Sequence, residues 1–130
     1  MIAFYNRTDQ YHSQVYAFFE GCTSQLITTL SCITETMQLL PSNWQIQNEF
    51  LLAVAKGVFE CESLQPKDFS RIAELNFRYA DLPGDFADLT LIAISERLDI
   101  AAIATLDSDF DVYRRYRKKP FDRVFWPSLL

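Results

Sequence analysis

Glycine is scarce, three residues in 130, and neither a low-complexity tract nor an internal repeat is present, so long linkers are excluded and connections must be short. The three cysteines, Cys22, Cys32 and Cys61, form an odd set without a close pair. That spacing excludes a disulfide framework and a CxxC metal or redox site, and leaves buried thiols as the expectation. With His12 as the single histidine, the chain cannot build a nitrogen or sulfur site for zinc. His12 itself reads as a surface or partly packed side chain. No apolar run approaches the roughly 18 residues of a membrane span. The best, Phe50 to Phe59, is short and broken by Lys56. Residues Met1 to Thr8 lack the basic flank, apolar stretch and cleavage site of a secretory signal, so a cytoplasmic protein without membrane association is expected.

Apolar residues make up 49% of the chain and aromatics 15%, with eleven Phe, which is ample surface for one core. A single domain over residues 1–130 is expected. The net charge of −5 opposes indiscriminate binding to phosphate. Its distribution is uneven, because six of the twelve basic residues fall in RRYRKKPFDR between Arg114 and Arg123. A local basic patch or a solvated face are both consistent with that run.

Hydrophobic spacing predicts a helix over Gln10 to Glu20, with Gly21 as its stop, and a buried strand over Leu26 to Leu30. Ile33 to Leu40 reads as a helix ended by Pro41. Another should start at Asn43, capped by Ser42 or Asn43 and ending near Gly57, with Trp44, Phe50, Leu51, Val54 and Ala55 on one face. Phe59 to Ser63 alternates like a half-buried strand suited to an edge. Pro66 opens a helix whose shared face is Phe69, Ile72, Ala73 and Tyr79, followed by a DLPG turn at Asp81 to Gly84. Asp85 to Asp99 then reads as a helix, Ile100 to Leu106 as a strand, and LDSDF follows at once. This alternation predicts an α/β fold with a mainly parallel sheet flanked by helices, where ligands bind beyond the carboxyl ends of strands.

Carboxylates are the remaining chemistry. Glu35, Asp88, Asp107 and Asp109 each stand near a helix start or just after a strand, where loops converge on one sheet edge. Gathered carboxylates raise one another's pKa, and Mg²⁺ or Mn²⁺ is the simplest neutralising partner. Each residue also has a plainer role. Asp85 and Asp88 fit a helix cap, Glu35 fits the positive end of its helix, and Asp107 and Asp109 fit caps of the turn before Val112.

The segment RYADLPGDFADLTLIAISERLDIAAIATLDSDFDVYR resembles the C-terminal half of PIN domains of the VapC toxin type. In that family the helix starting near FAD supplies one metal-binding Asp, matched by Asp88, and a strand ending in TxD supplies another, matched by Asp107. Asp109 matches an accessory acid, and Thr105 a supporting hydroxyl. LITTLSCITETMQLL is similar to the family's strand, Thr-rich loop and helix, with Glu35 as the matching acid. IAFYNRTDQYH resembles the opening helix and turn, with Asp9 and His12 at non-catalytic positions.

The resemblance implies a PIN-like three-layer sandwich. It also implies a divalent-metal-dependent endoribonuclease that cuts RNA, the toxin of a toxin–antitoxin pair, with a cognate antitoxin and a homodimer as partners. Arg114, Arg115, Arg117, Lys118 and Lys119 would position phosphates. The family normally opens with a central strand ending in Asp, and here that strand and ligand would precede Met1. A coding start upstream, or a truncated chain, is therefore expected. The competing expectation is a PIN-fold binding or regulatory module with impaired catalysis. A phospho-receiver is disfavoured, since no lone acceptor Asp follows an early strand.

Overall fold

The computed structural model describes residues 10, 12–22, 25–82, 85–105, 108–116 and 119–125. The chain divides into two compact units, one of Met1–Glu62 with Pro127–Leu130 and the other of Ser63–Trp126.

In the first unit, helix α1 (His12–Gly21) is followed by strand β1 (Leu26–Thr29), helix α2 (Leu30–Leu39), helix α3 (Trp44–Ala55) and strand β2 (Phe59–Glu62). The strands pair in parallel, with Leu26 opposite Phe59 and Thr29 opposite Glu62. Helix α2 starts three residues before the expected Ile33, because Thr29 ends the strand and caps the helix at once. Its φ of −121° is extended, and its side chain accepts the Cys32 N–H at 3.4 Å. Thr34 and Thr36 suit strands better than helices, but their hydroxyls donate to the carbonyls of Leu30 and Cys32 at 2.9 and 2.7 Å. Leu40 leaves the helix in extended geometry, as the ring of Pro41 requires.

Asn43 caps α3 through the N–H groups of Gln45 and Ile46. Gly57, at φ +81°, closes it in a Schellman motif, with Val58 N–H on the Ala53 carbonyl and Gly57 N–H on that of Val54. The packed face differs from the expected one. Ile46, Phe50, Ala53 and Val54 meet Ile33, Leu40 and Phe59 in the core, whereas Trp44 and Leu51 are exposed. In β2 the expected alternation holds only at Phe59, since Cys61 is exposed. Phe50 is fully buried, with its ring 6.0 Å from that of Phe59. Phe50→Ala is expected to cost about 3–5 kcal/mol by lost transfer energy and residual cavity, read as a lower midpoint in urea unfolding.

The second unit holds helix α4 (Pro66–Arg78), helix α5 (Phe86–Arg97), strand β3 (Ala102–Ile103), a 3-10 turn (Ser108–Asp111), and strands β4 (Arg114–Arg115), β5 (Lys119–Pro120) and β6 (Asp122–Arg123). Pro66 opens α4, and Gln65 with Asp68 forms a capping box. Ile72 and Leu75 are its buried apolar positions, while Phe69 and Ala73 face outward. Helix α5 buries residues on nearly every side, from Ala87 to Glu96. The hydroxyls of Thr90 and Ser95 are satisfied inside it by the carbonyls of Ala87 and Ile92. Leu89, Ile92 and Ala93 pack with Ile72 and Leu75 against Phe110 and Tyr113, whose rings meet edge to face at 5.1 Å.

Of the strand expected over Ile100 to Leu106, Ala102 and Ile103 are the strand residues among those described. Helix α5 ends in a second Schellman motif that takes the Ile100 N–H onto the Ser95 carbonyl, and Ala102 and Ile103 then pair in parallel with Asp122 and Arg123. Strands β4 and β5 form an antiparallel hairpin. The chain is thus a mixed α/β protein, with five helices and short parallel strands among the described residues. No helix among them is long and apolar enough to cross a membrane.

Candidate acidic site and basic hairpin

Asp88 stands in the first turn of α5 and is half-buried. Its backbone N–H donates to the Asp85 carboxylate at 2.9 Å, so Asp85 is the cap. The cap was read from the sequence as a plain alternative for the pair, and it falls to Asp85. Glu35 lies half-buried on α2, one turn beyond Cys32. It belongs to the first unit and Asp88 to the second. Asp107 lies outside the described residues, as do Asp9 and the side chain of Asp109, whose backbone forms part of the 3-10 turn. Among the described residues no three His, Cys, Asp or Glu side chains gather in a metal-binding group.

Thr105 follows β3 and is held through its carbonyl, which accepts from Arg123 Nε at 3.3 Å and Nη2 at 3.1 Å. Arg123 also donates to the Phe125 carbonyl and pairs with Asp111 at 3.2 Å. One buried guanidinium therefore ties the segment leading toward Asp107 to the last strand. Sequence reasoning counted Arg123 only as part of a basic run, because its partner Thr105 is eighteen residues away.

The other cations of that run divide between internal and outward roles. Arg114 Nη1 donates to the carbonyls of Asp111, Val112 and Tyr113, closing the end of the 3-10 turn. Arg115 is buried and lies 3.5 Å from the Asp99 carboxylate. Lys119 is exposed, with Nζ 5.4 Å from the centre of the Tyr116 ring. Arg117 and Lys118 lie outside the described residues. His12 is half-buried beside Tyr16, with the rings 5.9 Å apart.

Two buried ion pairs brace α4 on α5. Asp68 accepts from Arg97 Nε at 3.1 Å and from the Gln65 N–H at 2.8 Å. Glu96 accepts from Arg71 Nε at 2.7 Å and from the Tyr116 N–H at 3.2 Å. Burial opposes the charge on Arg71, but hydrogen bonds and charges from Glu96 and Glu74 outweigh it and hold the guanidinium above its ordinary pKa. The pairs border a cleft of about 480 Å³ whose walls include Lys67 and Tyr116.

Burial pushes the Cys32 thiol up, and the charge of Glu35 adds to this, against the hydrogen bonds from Thr29 and Thr28. A raised pKa leaves less thiolate at a given pH, and thiolate is the nucleophile. Cys61 on the exposed side of β2 is therefore expected to alkylate with iodoacetamide at pH 8 well before Cys32, checked by peptide mass mapping over time.

Neither a protein-family model nor a curated protein matches this chain.

Proposed function

We propose that this chain is a PIN-type endoribonuclease that hydrolyses RNA phosphodiester bonds with Mg²⁺ or Mn²⁺, acting in the cytoplasm as the toxin of a toxin–antitoxin pair. The reading includes a three-layer PIN-like sandwich, a cognate antitoxin and a homodimer. The observation that carries it is an order of parts within Ser63–Trp126. Half-buried Asp88 begins α5, the helix leads into β3, and the sequence Thr105-Leu106-Asp107-Ser108-Asp109 follows directly. That order is the one the resemblance assigns to two metal-binding acids and their supporting hydroxyl.

The donor set fits a hard divalent cation, because every candidate ligand is a carboxylate and the chain offers no cluster of nitrogen or sulfur ligands. Asp88 and Asp107 would hold it, with Asp109 auxiliary and Thr105 in support, and Glu35 is the further acid that the resemblance assigns. The cation, when bound, activates water and neutralises charge developing on the phosphodiester.

The test is cleavage of a structured RNA by this chain in Mg²⁺ or Mn²⁺, with EDTA removal and metal add-back. Cleavage lost with EDTA and restored by the metal is the expected result. Cleavage that persists in EDTA would overturn the metal reading. No cleavage, with RNA or antitoxin binding retained, would favour the catalytically impaired binding module.

A further inference from the structure

Among the described residues two non-glycine residues adopt left-handed backbone, Asp99 at φ 53° and Tyr116 at φ 50°, and both belong to the junction of α5 with the hairpin β4–β5. Asp99 is the residue after the C-cap of α5, where the Schellman motif asks for positive φ and Gly is usual. Its carboxylate faces Arg115, the last residue of β4. Tyr116 is the first residue of the hairpin turn, and an aromatic residue holds this conformation only where its surroundings impose it. Glu96 imposes it. Its Oε2 accepts the Tyr116 N–H, and its backbone carbonyl accepts the Tyr116 hydroxyl. Glu96 is itself only 9% exposed and is locked from the other side by Arg71 Nε of α4.

We infer that Glu96 is a positioning residue for RNA. By fixing Tyr116 in its left-handed turn, it sets the hairpin β4–β5 so that Lys119 meets the phosphate backbone of a single strand. This rests on the ribonuclease reading for the identity of the ligand. Glu96 touches no RNA. It holds Tyr116 before binding, so that ordering this residue does not oppose association. Arg114, Arg115 and Arg123 make intramolecular contacts, which leaves Lys119 beside the exposed Tyr116 ring as a cation facing solvent.

The experiment measures binding of a fluorescently labelled single-stranded RNA oligonucleotide, without divalent metal, as a function of KCl concentration. Lys119→Ala is expected to lower the slope of log K against log salt by about 0.7, the contribution of one phosphate contact to a single strand. Glu96→Ala, which removes the side-chain acceptor of the Tyr116 N–H, is expected to lower it by at least as much and to raise Kd about tenfold, since the left-handed turn loses that support. Adding Lys119→Ala to Glu96→Ala should then change Kd by less than about twofold, because the contact is already lost. A merely structural role would lower thermal stability and leave the salt slope of the folded protein unchanged. Tyr116→Phe removes only the hydroxyl and serves if Glu96→Ala does not fold. Its slope should fall in the same direction.

An unchanged slope in Glu96→Ala and Tyr116→Phe, with Lys119→Ala lowering it, would overturn the positioning role. An unchanged slope in Lys119→Ala, with wild-type binding and cleavage intact, would overturn the hairpin as an RNA contact and leave the ribonuclease reading standing. Wild-type protein that neither binds nor cleaves RNA would sink that reading and this inference together.

Discussion

Asp88→Asn is expected to lower metal-dependent RNA cleavage by about a hundredfold or more, because a lost anionic ligand forfeits several kcal/mol of charge stabilisation in the transition state. The substitution is close to isosteric. The Asp88 N–H still meets the Asp85 carboxylate, so the start of α5 is preserved and the folded fraction should not account for the loss. The alternative role makes a different forecast. If Asp88 only complements the helix dipole, Asn costs roughly 0.3–1 kcal/mol of stability and cleavage persists. Single-turnover cleavage in Mn²⁺ separates the two, with calorimetric titration of the metal as a second measurement. Asp85→Ala is the control. It weakens the cap while leaving the proposed ligand in place, so a comparable loss of cleavage there would assign the effect to the helix start and count against Asp88 as a ligand.

Asp68→Ala is expected to destabilise the second unit by about 3–5 kcal/mol, the usual cost of stranding one member of a buried ion pair. The Asp68 and Arg97 side chains are 4% and 12% exposed, so water cannot replace the carboxylate that Arg97 loses. The same carboxylate also accepts the Gln65 N–H at the start of α4, so the capping box goes with it. Thermal unfolding should show a midpoint lower by about 10 °C or more. Arg97→Met in the Asp68→Ala background should recover much of the loss, because no uncompensated charge then remains buried. A double variant no more stable than Asp68→Ala alone would show that packing or the capping box, and not the stranded guanidinium, sets the cost.

The candidate site was legible in part. Asp85 and Asp88 stand three residues apart before an apolar run, and that local pattern identified both the helix start and the two possible uses of the acids. The Thr29 cap was missed because strand and helix share that residue with no linker between them, so the expected start fell at Ile33. The packed face of α3 is not legible in the sequence for a different reason. Trp44 and Leu51 are as apolar as Ile46 and Phe50, and periodicity alone cannot tell which of two apolar stripes meets a core. The strand after α5 was overextended because the apolar run Ile100 to Leu106 looks uniform, while Ile100 closes the helix motif.

By itself the sequence determined what is local or compositional: the helix caps and stops, the parallel-sheet tendency, the scarcity of histidine and cysteine, and the supply of carboxylates. These follow from side-chain type and spacing within a few residues. Tertiary structure decided the partners of the charges. Arg71 and Glu96 are twenty-five residues apart and Arg97 and Asp68 twenty-nine, and no pattern along the chain reports such pairs. The basic run likewise looked uniform, yet folding turned Arg114, Arg115 and Arg123 inward and left Lys119 in solvent. The physical reason is that a buried charge must find its partner from whatever the packed elements bring near, and only the fold determines that neighbourhood.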